Sequence, residues 1–174
     1  MVNALKKIHG KNIIHNDLKP SNICWGKFIK GKFEEQNSFF LVDFGYAREF
    51  IDINYNTKRN NEKNNKSKAH YEDKYENFFQ GTPEFMAIPI SEGNRPSIRT
   101  DLEELVYTLL FLIRKRLPWS HVKAKTHIEV CRKMNEIKKN IDIDILFKDL
   151  PEELKYIYKN IRKLDFKEKP DYNL

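Results

Sequence analysis

Polar side chains that could do chemistry occupy two short turns, at residues 15–22 and 43–45. Apolar runs precede both turns, at residues 13–14 and 39–42. The candidates in these turns are two carboxylates, a lysine and an amide, at Asp17, Asp43, Lys19 and Asn22. Strands that end in polar turns present charged groups at a cleft while the sheet keeps them rigid. The pattern therefore predicts a site in which oxygen atoms and a single cation face one cleft.

The spacing H-x-D-x-K-x-x-N, followed by D-F-G, resembles the catalytic loop and the metal-binding turn of eukaryotic protein kinases. The resemblance implies phosphoryl transfer from ATP with Mg²⁺. It implies that Asp17 accepts or orients the proton of the substrate hydroxyl, and that Lys19 neutralises charge on the transferred phosphoryl group. Asn22 and Asp43 are implied ligands of Mg²⁺, a hard cation that prefers oxygen. Gly45 completes this nucleotide-binding turn, where a side chain would block the bend.

Further segments in the same order resemble the casein kinase I group of these kinases, including its vaccinia-related branch. The segments are residues 81–85, 92–93, 99–105, 117–119 and 164–172. The resemblance implies that Thr82 belongs to the platform for the substrate and hydrogen-bonds near Asp17 and Lys19. It also implies structural roles for His15 and for Asp101, whose carboxylate opens a buried helix and accepts bonds from the catalytic-loop backbone.

Two departures from most kinases bear on the mechanism. Residues 87–89 replace the A-P-E motif, so the glutamate of that motif and its buried ion pair are expected to be missing. Asn16 stands at the place of the arginine in most H-R-D loops. Asparagine has no charge with which to pair a phosphate. Activity is therefore expected not to require phosphorylation of Thr57 or Ser67.

The elements that must position these residues are mainly helical, with one small β-hairpin. Residues 23–26 and 39–42 are the predicted hairpin strands, which would bring Asp43 beside Asp17. Helices are predicted before the first polar turn, from Asp101 onward, over 126–140 and after Pro151. The predicted core includes Leu105, Leu109, Leu112, Ile113 and Trp119, and the helix over 126–140 carries Ile128, Cys131, Met134 and Ile137 at three-residue steps.

By resemblance, residues 1–174 form one unit, a protein-kinase-like C-terminal lobe with the small N-terminal lobe missing. No Gly-rich phosphate loop, strand lysine or partner glutamate precedes the catalytic loop. A fragment or truncated form of a longer kinase is therefore expected, and a partner chain that supplies a small lobe is left open.

Residues 52–78 are a predicted mobile insert in the activation segment. Asn, Lys and Glu dominate residues 54–77, and few aliphatic side chains are available to offset the entropy of ordering them. Five basic residues there could attract acidic or already phosphorylated protein substrates through long-range electrostatics. They are Lys58, Arg59, Lys63, Lys66 and Lys68. A solvated low-complexity insert without such a role is the alternative.

The composition excludes several classes of protein. The chain has 32 Lys+Arg against 25 Asp+Glu, a formal net charge of +7. This surplus favours anionic partners such as nucleotides and acidic peptides, while nucleic acid is not an expected partner. Cys24 and Cys131 are far apart and lack ligand spacing, which argues against a disulfide framework and a zinc site. A reducing compartment, cytoplasmic or nuclear, is expected. The apolar stretch 102–113 is too short to span a membrane.

Two functions of different classes follow from the sequence. The first is a serine/threonine protein kinase that transfers the γ-phosphate of ATP to protein Ser or Thr. The second is a catalytically inactive pseudokinase or scaffold that binds a protein partner. The missing small-lobe clamp on the α- and β-phosphates supports the second, because positioning supplies much of the catalysis. The presence of Asp17, Lys19, Asn22 and Asp43 supports the first.

Overall fold

Helices dominate the part of the chain that the computed structural model describes, which is residues 1–26, 38–52, 69–70 and 80–173. The helices are α1 (Val2–His9), α2 (Ile88–Ser91), α3 (Ile98–Arg114), α4 (His127–Asn140), α5 (Ile143–Leu146) and α6 (Glu152–Lys163). The strands are β1 (Ile13–Ile14), β2 (Ile23–Gly26), β3 (Ser38–Leu41), β4 (Arg48–Glu49), β5 (Ile51–Asp52) and β6 (Ala69–His70). The predicted class, mainly α with a small β-hairpin, is confirmed.

The strands form antiparallel pairs, and the pair β2–β3 is the predicted hairpin. Ile23 lies opposite Leu41, and Gly26 lies opposite Ser38. Two other pairs were not predicted, β1 with β4 and β5 with β6. The pair β1–β4 joins the segment before the first polar turn to the segment after the second. Both turns are therefore anchored on the same short sheets.

The predicted mobile insert lies mostly outside the described residues. Of the range 52–78, the structure describes Asp52 and the strand Ala69–His70, which pair in the β5–β6 ladder. The basic residues of the insert and both Thr57 and Ser67 lie outside the described ranges. The expectation of mobility for this insert stays a prediction.

Helix α3 is the central element of the core. At its start the backbone N–H of Ser97, the residue before the helix, donates to Thr100 Oγ1 at 3.0 Å, as in a capping box. Most of its side chains as far as Leu110 are buried. The prediction that Leu112 and Ile113 belong to the core is wrong, because they are 42% and 55% exposed. The helix emerges from the core in its last turn, which a run of apolar residues does not reveal.

Aromatic packing joins α3 to α6 and to the segment that follows α3. Trp119 is fully buried, which confirms its predicted core role. Its ring meets Tyr107 edge-on, with 5.0 Å between the centroids. The hydroxyls of Tyr107 and Tyr158 are 3.1 Å apart and share a hydrogen bond. Such ring pairs add to the free energy gained by burial.

Helix α4 begins at a reciprocal cap. Thr126 Oγ1 accepts from Glu129 N at 3.2 Å, and Glu129 Oε2 accepts from Thr126 N at 3.4 Å. Ile128, in the first turn, is 45% exposed, so its place on the apolar stripe does not bury it. Cys131 and Met134 are buried, as are two polar residues of the helix, Asn135 and Lys138. In the described part of the chain, no helix has both the length and the apolar character needed to cross a bilayer.

Candidate active site

The carboxylate of Asp17 is the centre of a polar cluster. Its Oδ1 accepts from Thr82 N at 3.1 Å and from Thr82 Oγ1 at 2.9 Å. Its Oδ2 accepts from Lys19 Nζ at 2.7 Å and from Asn22 Nδ2 at 3.1 Å. Lys19 Nζ also donates to Thr82 Oγ1 at 3.1 Å. The structure thus brings Asp17, Lys19, Asn22 and Thr82 together in one hydrogen-bonded group.

The first polar turn closes through a short 3-10 helix, Pro20–Asn22, with proline at its start. Proline fits there because its φ is fixed and no N–H is needed. The side chain of Asn22 is buried, and its Nδ2 donates to the backbone oxygen of Asp17 at 2.9 Å. Among the described residues, both hydrogen bonds of the amide nitrogen therefore go to Asp17. The amide oxygen, Oδ1, is the atom left to bind a cation.

Asp43 lies beside this cluster but is not part of it. The backbone N–H of Val42 donates to the backbone oxygen of Asn22 at 3.0 Å, which places the second polar turn next to the first. The Asp43 side chain is exposed, and its Oδ1 accepts from Gly45 N at 3.2 Å. Among the described residues, no donor forms hydrogen bonds to both the Asp43 and the Asp17 carboxylate. The hairpin brings the two turns together as predicted, while the Asp43 carboxylate faces solvent.

The bend of the second turn falls at Asp43 and not at Gly45. Asp43 has a φ of 62°, and Gly45 is not among the described glycines with positive φ. A Cβ on Gly45 would lie 3.1 Å from Asp43 Oδ1. The obstruction expected for a side chain at Gly45 would therefore come from the Asp43 carboxylate, since the φ of Gly45 itself is not positive. Glycine is favoured there because the Asp43 carboxylate approaches so closely.

His15 joins the two polar turns from inside. Its imidazole is fully buried, and Nε2 is 3.1 Å from the backbone oxygen of Val42, to which it can donate. The ring also packs on Phe44, with 4.9 Å between the centroids. The positions of residues 42–44 thus depend on a side chain of the first turn.

Asp101 holds the first turn through its backbone. Its Oδ2 accepts from His15 N at 2.7 Å, and its Oδ1 accepts from Asn16 N at 2.8 Å. His9 Nε2 lies 2.9 Å from Oδ2, and the other ring nitrogen bonds to the hydroxyl of Tyr172. Asp101 is completely buried at the start of α3. The structure contains the bonds to the loop backbone that the resemblance implied, and it adds His9 and Tyr172.

Backbone conformation explains the residue types at Asn16 and Gly81, to which the sequence analysis gave no conformational role. Asn16 has a φ of 63°, a conformation that asparagine adopts more readily than most residues. Gly81 has a φ of 114°, and a Cβ there would lie 3.3 Å from the backbone oxygen of Asn16. Glycine lets the segment before Thr82 approach the first polar turn. In the sequence, the only indication of this role was that Gly81 directly precedes Thr82.

A comparison with protein families agrees with this arrangement of residues. The family model described as the protein kinase domain matches residues 1–172, which include both polar turns and Thr82. The chain belongs to the protein kinase family. The predicted resemblance to eukaryotic protein kinases is confirmed at this level, whereas membership of the casein kinase I group stays a prediction.

In this kinase domain a carboxylate from α3 reaches the segment that replaces A-P-E. Glu103 Oε1 accepts from Ile88 N at 3.3 Å and from the hydroxyl of Tyr107 at 2.6 Å. Arg162 Nη1 lies 3.6 Å from the same oxygen. The glutamate is absent from the segment itself, as predicted. Buried Glu103 of α3 and half-buried Arg162 form a different ion pair, which the sequence analysis did not predict.

The neighbouring residue Glu104 supports the first polar turn of the kinase domain. Its Oε2 accepts from Leu18 N at 3.0 Å, and the residue is buried. Burial raises the pKa of Glu104 well above its ordinary value, and the nearby charge of Asp101 raises it further. Burial also raises the pKa of Glu103, against the opposing charge of Arg162. The sequence analysis predicted no partners for these two glutamates. Their position within an apolar helix could have indicated that they are buried and hydrogen-bonded.

The donor set of the kinase site fits a magnesium ion bound together with a nucleotide. Among the described residues, no group of three or more His, Cys, Asp or Glu is placed to hold a metal ion. The candidate ligands are one amide, Asn22, and one carboxylate, Asp43. Mg²⁺ is usually held by one or two carboxylates plus substrate phosphates, and seldom by protein atoms alone. These two residues therefore match Mg²⁺ with ATP better than a resident structural metal.

Proposed function

We propose that this kinase domain transfers the γ-phosphate of ATP to serine or threonine side chains of proteins. The observation that supports it most is the cluster around Asp17, a 3% exposed carboxylate with donors on both oxygens. A buried carboxylate is costly unless it is paired and hydrogen-bonded. A scaffold that binds a partner protein needs no buried carboxylate of this kind.

In the proposed mechanism Asp17 orients the substrate hydroxyl and accepts its proton. A carboxylate has about four lone-pair sites, and Thr82, Lys19 and Asn22 already donate four bonds to them. An incoming hydroxyl must therefore displace one donor. Lys19 is the natural one to move, because its side chain is 24% exposed. Released from Asp17, its ammonium would lie close to the transferred phosphoryl group and offset the charge there.

Asn22 and Asp43 would hold Mg²⁺ and, with the backbone at Gly45, the phosphates of ATP. The bound ion would neutralise phosphate charge during transfer. The backbone bond between Val42 and Asn22 keeps these two ligands at one end of the hairpin. His15 supports the same arrangement by packing against Phe44.

The substrates proposed are proteins recognised in the manner of the casein kinase I group. Of the residues that carry this resemblance, 99–105 and 117–119 are mostly buried. The formal net charge of +7 is consistent with acidic or already phosphorylated substrates. A cytoplasmic or nuclear location would suit both the substrates and the separated cysteines.

Two measurements on the whole chain test this proposal. Calorimetry should show MgATP binding that is lost or much weakened by Asp43→Ala, and equal heats would remove Asp43 from the metal role. Transfer of labelled phosphate to casein or a Ser/Thr peptide should fall about 100-fold or more with Asp17→Asn, while MgATP binding persists. Asp165→Asn, at an exposed position, is the matched control. MgATP binding by the wild type without any transfer would favour the non-catalytic alternative.

A further inference from the structure

Lys138 is a buried lysine on the apolar face of α4. It is 2% exposed and lies seven positions after Cys131 and four after Met134, so the three side chains share one side of the helix. Lysine is almost never fully buried without a partner. Its Nζ donates to the backbone oxygens of Pro83 at 2.8 Å and Met86 at 2.7 Å. The partners are thus two carbonyls of the segment that follows Thr82.

This segment, residues 82–86, is a turn held from both sides. On one side Thr82 bonds to Asp17. On the other side, Trp119 Nε1 donates to Glu84 O at 2.7 Å, next to the two carbonyls held by Lys138. Within the turn, the N–H groups of Phe85 and Met86 both donate to Thr82 O at 2.9 Å. A displacement of the carbonyls on the Lys138 side must therefore reach Thr82.

The surroundings of Lys138 favour a cation at this place. Its Nζ lies 5.1 Å from the ring centroid of Tyr107 and 5.2 Å from that of Trp119. Aromatic faces attract an ammonium group, more strongly when water is excluded. A methionine of similar length would fill the space and keep none of these interactions.

We propose that Lys138 is a positioning residue, which holds the turn 82–86 from behind and thereby fixes the contact of Thr82 with Asp17. Lys138 touches neither substrate nor nucleotide in this role. The inference rests on the proposed function in one respect, since that function gives the turn its place beside the acceptor hydroxyl.

The protonation of Lys138 makes the positioning sensitive to pH. Burial lowers the pKa of Lys138 to about 7, and four ionisable groups that face it oppose this shift to the extent that they are ionised. They are Glu103 and Glu104 of α3, Cys131 of α4 and Glu84 of the turn. A neutral amine still donates, but more weakly than an ammonium, and it loses the attraction to the rings. The turn should therefore be held less firmly as the pH rises through the pKa.

Amide hydrogen exchange of the whole chain, followed by NMR, tests this inference without requiring activity. The probes are the N–H groups of Thr82, Phe85 and Met86, all of which are hydrogen-bonded. Lys138→Met should lower their protection factors about tenfold or more. The neighbouring Lys139→Met is the matched control, since Lys139 is exposed and pairs with Glu92 at 2.6 Å, and it should leave them unchanged.

The outcomes separate this inference from the proposed function. Wild-type protection of these amides in Lys138→Met would overturn the inference. If that variant does not fold, the wild type decides, because protection that stays constant between about pH 6 and about pH 8 would also overturn it. Phosphate transfer by Lys138→Met should fall about tenfold with MgATP binding unchanged. A different result would reject only the proposed function. In that case the amides lose protection in Lys138→Met, while the wild type itself transfers no phosphate, and the positioning role of Lys138 is retained.

Discussion

Thr82 donates two hydrogen bonds to the same oxygen of Asp17, one from its backbone N at 3.1 Å and one from Oγ1 at 2.9 Å. The two residues are far apart in sequence, and Gly81 with its φ of 114° allows the approach. This pair of bonds ties the segment after the insert to the first polar turn. It also leaves the second Asp17 oxygen to Lys19 and Asn22.

Removing the Thr82 hydroxyl should reduce the rate of phosphate transfer. Thr82→Val keeps the backbone bond to Asp17 and loses the one from Oγ1. We expect the transfer rate to fall roughly 10- to 100-fold, because the Asp17 carboxylate would be less well oriented. Steady-state kinetics with a Ser/Thr peptide measures this. Thr82→Ser retains the hydroxyl and should stay within a few-fold of the wild type, and equal loss in both variants would contradict the explanation.

Replacing Asp101 should damage stability and the site together. Asp101→Ala leaves the N–H groups of His15 and Asn16 without their acceptor in a fully buried place. We expect a loss of about 3 kcal/mol or more in the free energy of unfolding, measured by urea denaturation. Asp165→Ala, at an exposed position, should change stability little. A small effect of Asp101→Ala would mean that water readily replaces the carboxylate.

The ion pair of Glu103 with Arg162 should contribute less than a fully buried pair. The Arg162 side chain is 34% exposed, whereas that of Glu103 is 2% exposed. We expect Arg162→Met to cost about 1–2 kcal/mol, below the usual cost of breaking a buried pair because water partly screens this one. Urea denaturation compares it with Lys159→Met, an exposed neutralisation on the same helix. A loss no larger than that of the control would show that Ile88 N and Tyr107 suffice to hold Glu103.

Glu104 should make the kinase domain less stable as pH rises. Its pKa in the folded chain is raised well above the ordinary value by burial. The folded state therefore keeps a proton that the unfolded state releases near its ordinary pKa of about 4.5. Stability is favoured below that pH and declines as the pH rises toward the raised pKa.

The measurement for Glu104 is the free energy of unfolding of the wild type minus that of Glu104→Gln, from about pH 5 to about pH 8. This difference should decrease with pH, whatever its absolute value, because glutamine does not titrate. A difference that stays level or increases would show that Glu104 is ionised in the folded chain throughout.

Phosphorylation of the insert should not be needed for activity. Asn16 is completely buried and carries no charge, so it has no means to pair a phosphate on the insert. We expect the double variant Thr57→Ala, Ser67→Ala and phosphatase-treated wild type to retain full transfer. A strong fall in turnover after either change would show that another residue reads a phosphate there.

Local sequence predicted much of the site because its residues lie close together along the chain. The motif at residues 15–22 fixes Asp17, Lys19 and Asn22 within one turn and its short 3-10 helix. The hairpin was predictable from two apolar runs flanking a polar segment, and its register then brings Val42 to Asn22. The roles of these residues follow from the resemblance to kinases and await the experiments above.

Burial was less predictable, because it depends on what covers each helix. Leu112 and Ile113 fit the apolar pattern of α3 but lie where the helix leaves the core. Lys138 breaks the apolar pattern of α4 and yet is buried, since two backbone oxygens and two aromatic rings receive its ammonium. Hydrophobic periodicity predicts which side of a helix is apolar. Whether that side is buried along its whole length depends on the elements that pack against it.

The sequence by itself determined the family, the order of the polar turns and the mainly helical class, since these depend on residue type and short spacing. Tertiary structure alone decided which distant groups hold the turns in place. Asp101 with His9 and Tyr172, Glu103 with Arg162, and Lys138 with the turn 82–86 each join residues far apart in the chain. Such contacts arise because burying a charged group requires a partner at hydrogen-bonding distance. The identity of that partner depends on how the helices pack.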